Sequence, residues 1–114
     1  MNRPTEFNQD INGSDGVKFD AGKVRLDLVP GEFTFAVAAV LTYGERKYAA
    51  WNWARGMSKG RLLAAMQRHL LAYTMGEECD PESGLPHTWH AATCMAMLIG
   101  TEMRGTSTED RACH

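Results

Sequence analysis

Between His69 and Cys94 the chain concentrates three of its four histidines, His69, His87 and His90, and four of its fourteen acidic residues, Glu77, Glu78, Asp80 and Glu82. His87 and His90 are three apart, a spacing that points both to one side of a helix, and Cys94 follows one turn later. A His-x-x-His pair holds a divalent metal when further donors converge on it. His69 can supply a third donor, and Asp80 or Glu82 a fourth. The same residues can instead cap helices, pack, or bond to backbone in a solvated turn, and no zinc consensus is present. The pattern therefore leaves a metal or phosphate site and a satisfied polar turn both open. Glu77 and Glu78 fall just past a predicted helix C-terminus, where negative charge is unfavourable. The placement is odd unless a cation, an arginine or a metal compensates.

Lys47, Arg61 and Arg68 can each face a polyphosphate, since charge-assisted donors on anionic oxygens bind strongly; the alternative is a solvated surface. Trp51 and Trp53 flank Asn52, and they can either stack on a nucleobase or fold back on the helices.

Three helices must position these groups. Phe33, Val37, Val40, Leu41 and Gly44 follow helical spacing and predict a first helix over 31–49, with Gly44 marking a close approach or a kink. Ser58 is a natural N-cap for a second helix over 59–75, with a stripe of Leu62, Leu63, Met66, Leu70 and Tyr73 and with Gly76 just past its end. Pro86 suits the first turn of a third helix over 86–104, packed through Ala91, Cys94, Met95, Leu98 and Ile99. Short connections then give an all-α antiparallel helical bundle. Three helices make a thin core, and the first and third are apolar on more than one side, so a homo-oligomer is expected. Ahead of the bundle, Val24, Leu26 and Leu28 alternate with Arg25 and Asp27, which predicts an extended arm or edge strand over 18–30 that ends at Pro30. Residues 1–17 are polar and predict a mobile arm, and 105–114 a frayed tail. The expected domain is 18–104.

Composition narrows the classes. A length of 114 residues suits one domain that folds without staples, with 44% hydrophobic and 23% charged residues. A net charge of −2 argues against bulk electrostatic binding of nucleic acid. No apolar run is long enough for a bilayer, and NRPTEFNQD after Met1 has no signal-peptide character. A cytoplasmic location is expected, with Cys79, Cys94 and Cys113 as free thiols.

The blocks KFDAGKVRLDL, LTYGERKYAAWNWARGM and RLLAAMQRHLLAYTMGEECDPESGLPHTWHAA, in this order, resemble the phage dATP/dGTP diphosphohydrolase family, related to MazG-like all-α nucleotide pyrophosphohydrolases. The resemblance covers about residues 16–98. It implies a divalent metal (Mg²⁺, Mn²⁺ or Co²⁺) and cleavage of a purine deoxynucleoside triphosphate, dGTP and also dATP, to the monophosphate and pyrophosphate. Carried onto this chain, the matching blocks include Asp20, Asp27 and Tyr43, and roles fall on named positions. Glu32, Asp80, His87 and His90 are expected at the metal, and His69, Asp80 and Glu82 in catalysis, with Glu82 orienting water. Lys18, Lys23, Arg25, Lys47 and Arg61 are expected on phosphates, and Trp51, Asn52 and Trp53 elsewhere on the substrate. One departure stands out. MazG-like enzymes carry a Glu-x-x-Asp pair where this chain has His87-x-x-His90, and Ala36 and Ala39 stand where acids are expected. Imidazole donors suit Mn²⁺, Co²⁺ or Zn²⁺ better than Mg²⁺. A reduced cage would instead make a non-catalytic protein that sequesters a nucleotide or cyclic nucleotide signal.

Overall fold

The computed structural model describes residues 22–108. The arm expected over 1–17, the block residues Lys18 and Asp20, and Cys113 lie outside them. The chain divides after Pro30 into two compact units.

In the first unit, the residues read as a strand form a 3₁₀ turn over Leu26–Leu28 instead. The amides of Leu28 and Val29 donate to the carbonyls of Arg25 and Leu26, both at 3.2 Å. The Arg25 guanidinium donates to both carboxylate oxygens of Asp27, at 3.0 and 2.8 Å, and locks the turn. A period-2 pattern yields a strand only where a partner strand pairs with it; here local bonds take its place. Val29 is extended, as the following proline dictates.

The second unit contains three helices, α1 (Gly31–Glu45), α2 (Lys59–Thr74) and α3 (His87–Arg104). Two short strands, β1 (Met57–Ser58) and β2 (Ser107–Thr108), pair in parallel. This pairing ties part of the expected frayed tail to the start of α2. Helix α3 packs against both α1 and α2. Lys59, first in α2, approaches Glu102 near the end of α3 at 3.7 Å, while His69 meets His87 at the other end, so these two helices run antiparallel.

Ser58 caps α2 by accepting from the Arg61 amide at 3.1 Å. Gly76, at φ 101°, closes α2 in a Schellman motif: its amide donates to the Tyr73 carbonyl and that of Glu77 to the Ala72 carbonyl. Pro86 sits at the N-cap of α3, one residue before its first turn. Helix α1 ends four residues earlier than its pattern predicts. The amides of Lys47 and Tyr48 both turn back to the Gly44 carbonyl at 2.9 Å, and Trp51 then adopts a left-handed conformation (φ 64°). That conformation costs a bulky residue energy. Stacking offsets it: Trp51 and Trp53 lie 5.7 Å apart, and the Arg104 guanidinium sits 5.4 and 4.9 Å from their rings.

The buried core is built from Ala36, Val40, Leu62, Met66, Ala91, Cys94 and Leu98. Thr93 and Thr101 are also buried, and their hydroxyls donate to the carbonyls of Trp89 and Met97 four residues back. Phe35 and Trp89 join α1 to α3 edge to face at 5.8 Å. Several residues expected in the packing stripes are exposed: Phe33, Leu41, Leu70, Tyr73, Met95 and Ile99. The contact side of α2 narrows toward its end, because His69 rather than Leu70 or Tyr73 faces α3. Among the described residues no helix is long and apolar enough to cross a membrane.

Two glycines separate packing from helix propensity. A Cβ at Gly44 would meet nothing within 4 Å, so the expected close approach is absent there. A Cβ at Gly100 would lie 2.7 Å from two carbons of the Trp53 ring. Gly44→Ala should stabilise the fold by about 0.5–1 kcal/mol. Gly100→Ala should destabilise it by about 1–3 kcal/mol despite better propensity. Urea unfolding of both variants checks this; stabilisation by Gly100→Ala would contradict the packing of Trp53.

Candidate metal centre

Helix α2 ends in a sharp turn, and the chain returns to α3 through a closed loop. Cys79 and Pro86 form an antiparallel bridge, the Asp80 amide donates to the Leu85 carbonyl at 2.8 Å, and that of His87 to the Glu78 carbonyl at 2.9 Å. Gly84, at φ 75°, donates to the Asp80 carbonyl at 2.7 Å. The acidic stretch is thus a hydrogen-bonded loop whose two ends are fixed to each other.

The loop brings His87 against His69. Their Nδ1 atoms are 2.8 Å apart, and His87 is buried, with 3% exposure. On its other side, His87 Nε2 lies 2.8 Å from Glu77 Oε1. A carboxylate only accepts, so His87 Nε2 carries a proton, and in the neutral ring Nδ1 presents its lone pair. The contact with His69 then needs a proton on His69 Nδ1, or a cation in its place, because two facing lone pairs repel. Asp80 completes the group: one ligand atom each from His69, Asp80 and His87 lies within 4.8 Å of the others. Two imidazole nitrogens and a carboxylate oxygen fit a divalent ion, most readily a borderline transition metal. Binding would displace the proton between the histidines.

His90 stands beside this group. Its ring stacks on that of His69 at 4.5 Å and 8°, while its Nε2 lies 2.7 Å from the Ser83 hydroxyl. Ser83 Oγ also accepts from the Leu85 amide, and the Ser83 amide donates to Asp80 Oδ2 at 3.0 Å. Burial lowers the pKa of His69, and the neighbouring His90 and His87 lower it further. Burial also lowers that of His90, against the opposing pull of Asp80. Both are therefore neutral, and able to bind a metal, at neutral pH. Burial works to raise the Asp80 carboxyl, but hydrogen bonds from Ser83 and the nearby His90 and His69 outweigh it and hold the pKa below its ordinary value.

Of the metal ligands expected from sequence, Asp80 and His87 converge, and His69 joins them. His90 takes the stacking position, and Glu32 lies in the first turn of α1, outside the converging group. Glu82 forms an ion pair with Lys47 at 2.7 Å, with both side chains exposed. That bond raises the Lys47 pKa, and the ammonium lies 5.7 Å from the Tyr43 ring centre. Arg61 and Arg68 border a separate groove between α2 and α3. Trp51 is 65% exposed but stacked, Asn52 opens a short 3₁₀ turn (Asn52–Arg55), and Trp53 packs over Gly100. Lys23 and Arg25 belong to the first unit. Glu77 was absent from the sequence-derived site. Its unfavourable place past a helix end was the signal, and His87 is the partner that explains it.

The lowered histidine pKa values set a pH dependence. Unfolded histidines titrate near 6.5, and the folded His69 and His90 titrate below that. As pH falls through 6.5 the unfolded chain takes up more protons, so stability falls, whereas above it the dependence is flat. Thermal melts in a chelator should show a constant midpoint from pH 7 to 8 and a declining one from 6.5 to 5. The decline should shrink in a His69→Gln, His90→Gln double variant. An unchanged slope in that variant would contradict the shifts.

Residues 13–111 match the sequence model of a family described as dATP/dGTP diphosphohydrolase, N-terminal. A curated protein of Salmonella phage PMBT28, named dATP/dGTP diphosphohydrolase, is 40% identical over 96 residues. That alignment covers 84% of this chain and 33% of the phage protein, so the chain spans about a third of its relative's length. No solved structure matches. With the family model matched over nearly the whole chain and a relative at this identity, the chain belongs to the dATP/dGTP diphosphohydrolase family, by way of that family's N-terminal region.

Proposed function

We propose that the chain catalyses metal-dependent hydrolysis of a purine deoxynucleoside triphosphate, dGTP or dATP, with water, giving the deoxynucleoside monophosphate and pyrophosphate. The convergence of His69, Asp80 and His87 in a chain of this family carries the reading. His69, Asp80 and His87 would hold a divalent ion, which would supply Lewis acidity to the reaction. The chain's own groups do the rest. Glu77 holds His87 in one tautomer, as carboxylates do behind metal-binding histidines. Ser83 and His90 brace Asp80 and His69. Lys47 supplies positive charge for the phosphates, and Glu82, its ion-pair partner, orients water once Lys47 turns to the substrate.

Incubation with dATP or dGTP and Mg²⁺, Mn²⁺ or Co²⁺, read by chromatography, tests this. Monophosphate and pyrophosphate should appear in equal amounts, fastest with Mn²⁺ or Co²⁺, and a chelator should stop the reaction. Asp80→Ala and His87→Ala should each lower kcat/KM by about 100-fold or more. No product with any of these metals would refute hydrolysis. The buried Ala36, where an acid was expected, favours a second reading, a binder that returns its nucleotide unchanged. Stoichiometric binding with no turnover would select it.

The partner surface is proposed as a second copy of the chain. Exposed Phe33, Leu70, Leu71, Tyr73, Ile99 and Met103 support this, being too many large apolar side chains for a small monomer's scattered surface. Light scattering at micromolar concentration should give at least a dimer mass, and a monomer mass would exclude it.

A further inference from the structure

We infer that the cavity between α1, the connection to β1, and α3 is a purine-base site, with Asn52 as the residue that reads the base. This rests on the nucleotide reading above and says where the base lies. The cavity measures about 430 Å³, within the usual size of small-ligand sites. Its wall includes Tyr43, Tyr48 and Trp53, with Met97 of α3 facing them. Aromatic faces and a polarisable thioether suit a flat heterocycle. The Trp53 ring is pinned by Gly100 and Arg104, so this wall is preformed. Gly44, also in the wall, leaves open space where a side chain would project.

Polar recognition falls to few groups. The Thr93 hydroxyl at the cavity is already engaged with the Trp89 carbonyl. The tyrosine hydroxyls each offer a single group. Asn52 alone among the cavity side chains carries a donor and an acceptor side by side. A side-by-side donor and acceptor matches the N6 and N7 edge of adenine, where guanine presents two acceptors. Lys47 supplies the direction of the phosphates. It lies near the ring of Tyr43, which lines the cavity, and contacts Glu82 in the loop that carries Asp80. A nucleotide with its base in the cavity would thus direct its phosphates past Lys47 toward the metal centre.

Calorimetric titration with the α,β-methylene analogues of dATP and dGTP, with and without Mg²⁺, tests the site without hydrolysis. The dATP analogue should bind more tightly, and Asn52→Ala should weaken it roughly tenfold and erase the preference. Gly44→Leu should abolish binding of both while circular dichroism shows an intact fold, and the Met97 methyl resonance should shift on binding to the wild-type chain. Unchanged affinity and preference in both variants, or an unmoved Met97 methyl, would overturn the assignment even if hydrolysis were intact. Binding that follows the expected pattern without turnover would uphold the cavity while refuting the hydrolase reading.

Discussion

Two imidazole nitrogens held 2.8 Å apart, one from the end of α2 and one from the start of α3, govern the arrangement around them. Such a contact persists only with a proton or a cation between the lone pairs, and a buried imidazole needs partners for both its nitrogens. Glu77 provides for one nitrogen of His87 and His69 for the other. The backbone makes this possible. The Schellman exit at Gly76 turns the chain, the bonds between residues 78 and 87 close the loop, and α3 therefore starts beside the helix that has just ended. Asp80 enters the same space because Ser83 fixes one of its oxygens.

The far end of α3 depends on stacking rather than on charge. Arg104 lies against both tryptophans, Gly100 admits the Trp53 ring, and the left-handed Trp51 is held by these contacts. The result is a rigid aromatic wall beside an open cavity. The Lys47–Glu82 pair links this region to the loop that carries Asp80. Both side chains of the pair are exposed to water, so it ties the two regions together only weakly.

Helix patterning was legible because α-helices are bonded locally. Ser58, Gly76 and Pro86 marked their boundaries, and Leu62, Met66, Ala91 and Leu98 reported the packing side. The apparent strand was not legible as a turn, since the alternation of Val24, Leu26 and Leu28 carries no record of whether a partner strand exists. Leu70, Tyr73 and Ile99 misled for a related reason. Their spacing follows the helix, but the width of the contact face depends on the neighbouring helix.

The sequence by itself determined the helical class, the family, and the segment in which histidines and acidic residues concentrate, because each rests on local spacing or on contiguous matching blocks. Only the tertiary structure decided which donors meet. His87 and His90 share a helix and a spacing, yet His87 points to His69 and Asp80 while His90 stacks beside them. Glu77, an ill-placed charge in one dimension, becomes the partner of a buried histidine in three. Ligand sets depend on separations of a few ångströms between residues far apart in the chain, and those are fixed by the loop closure and helix packing that no local pattern records.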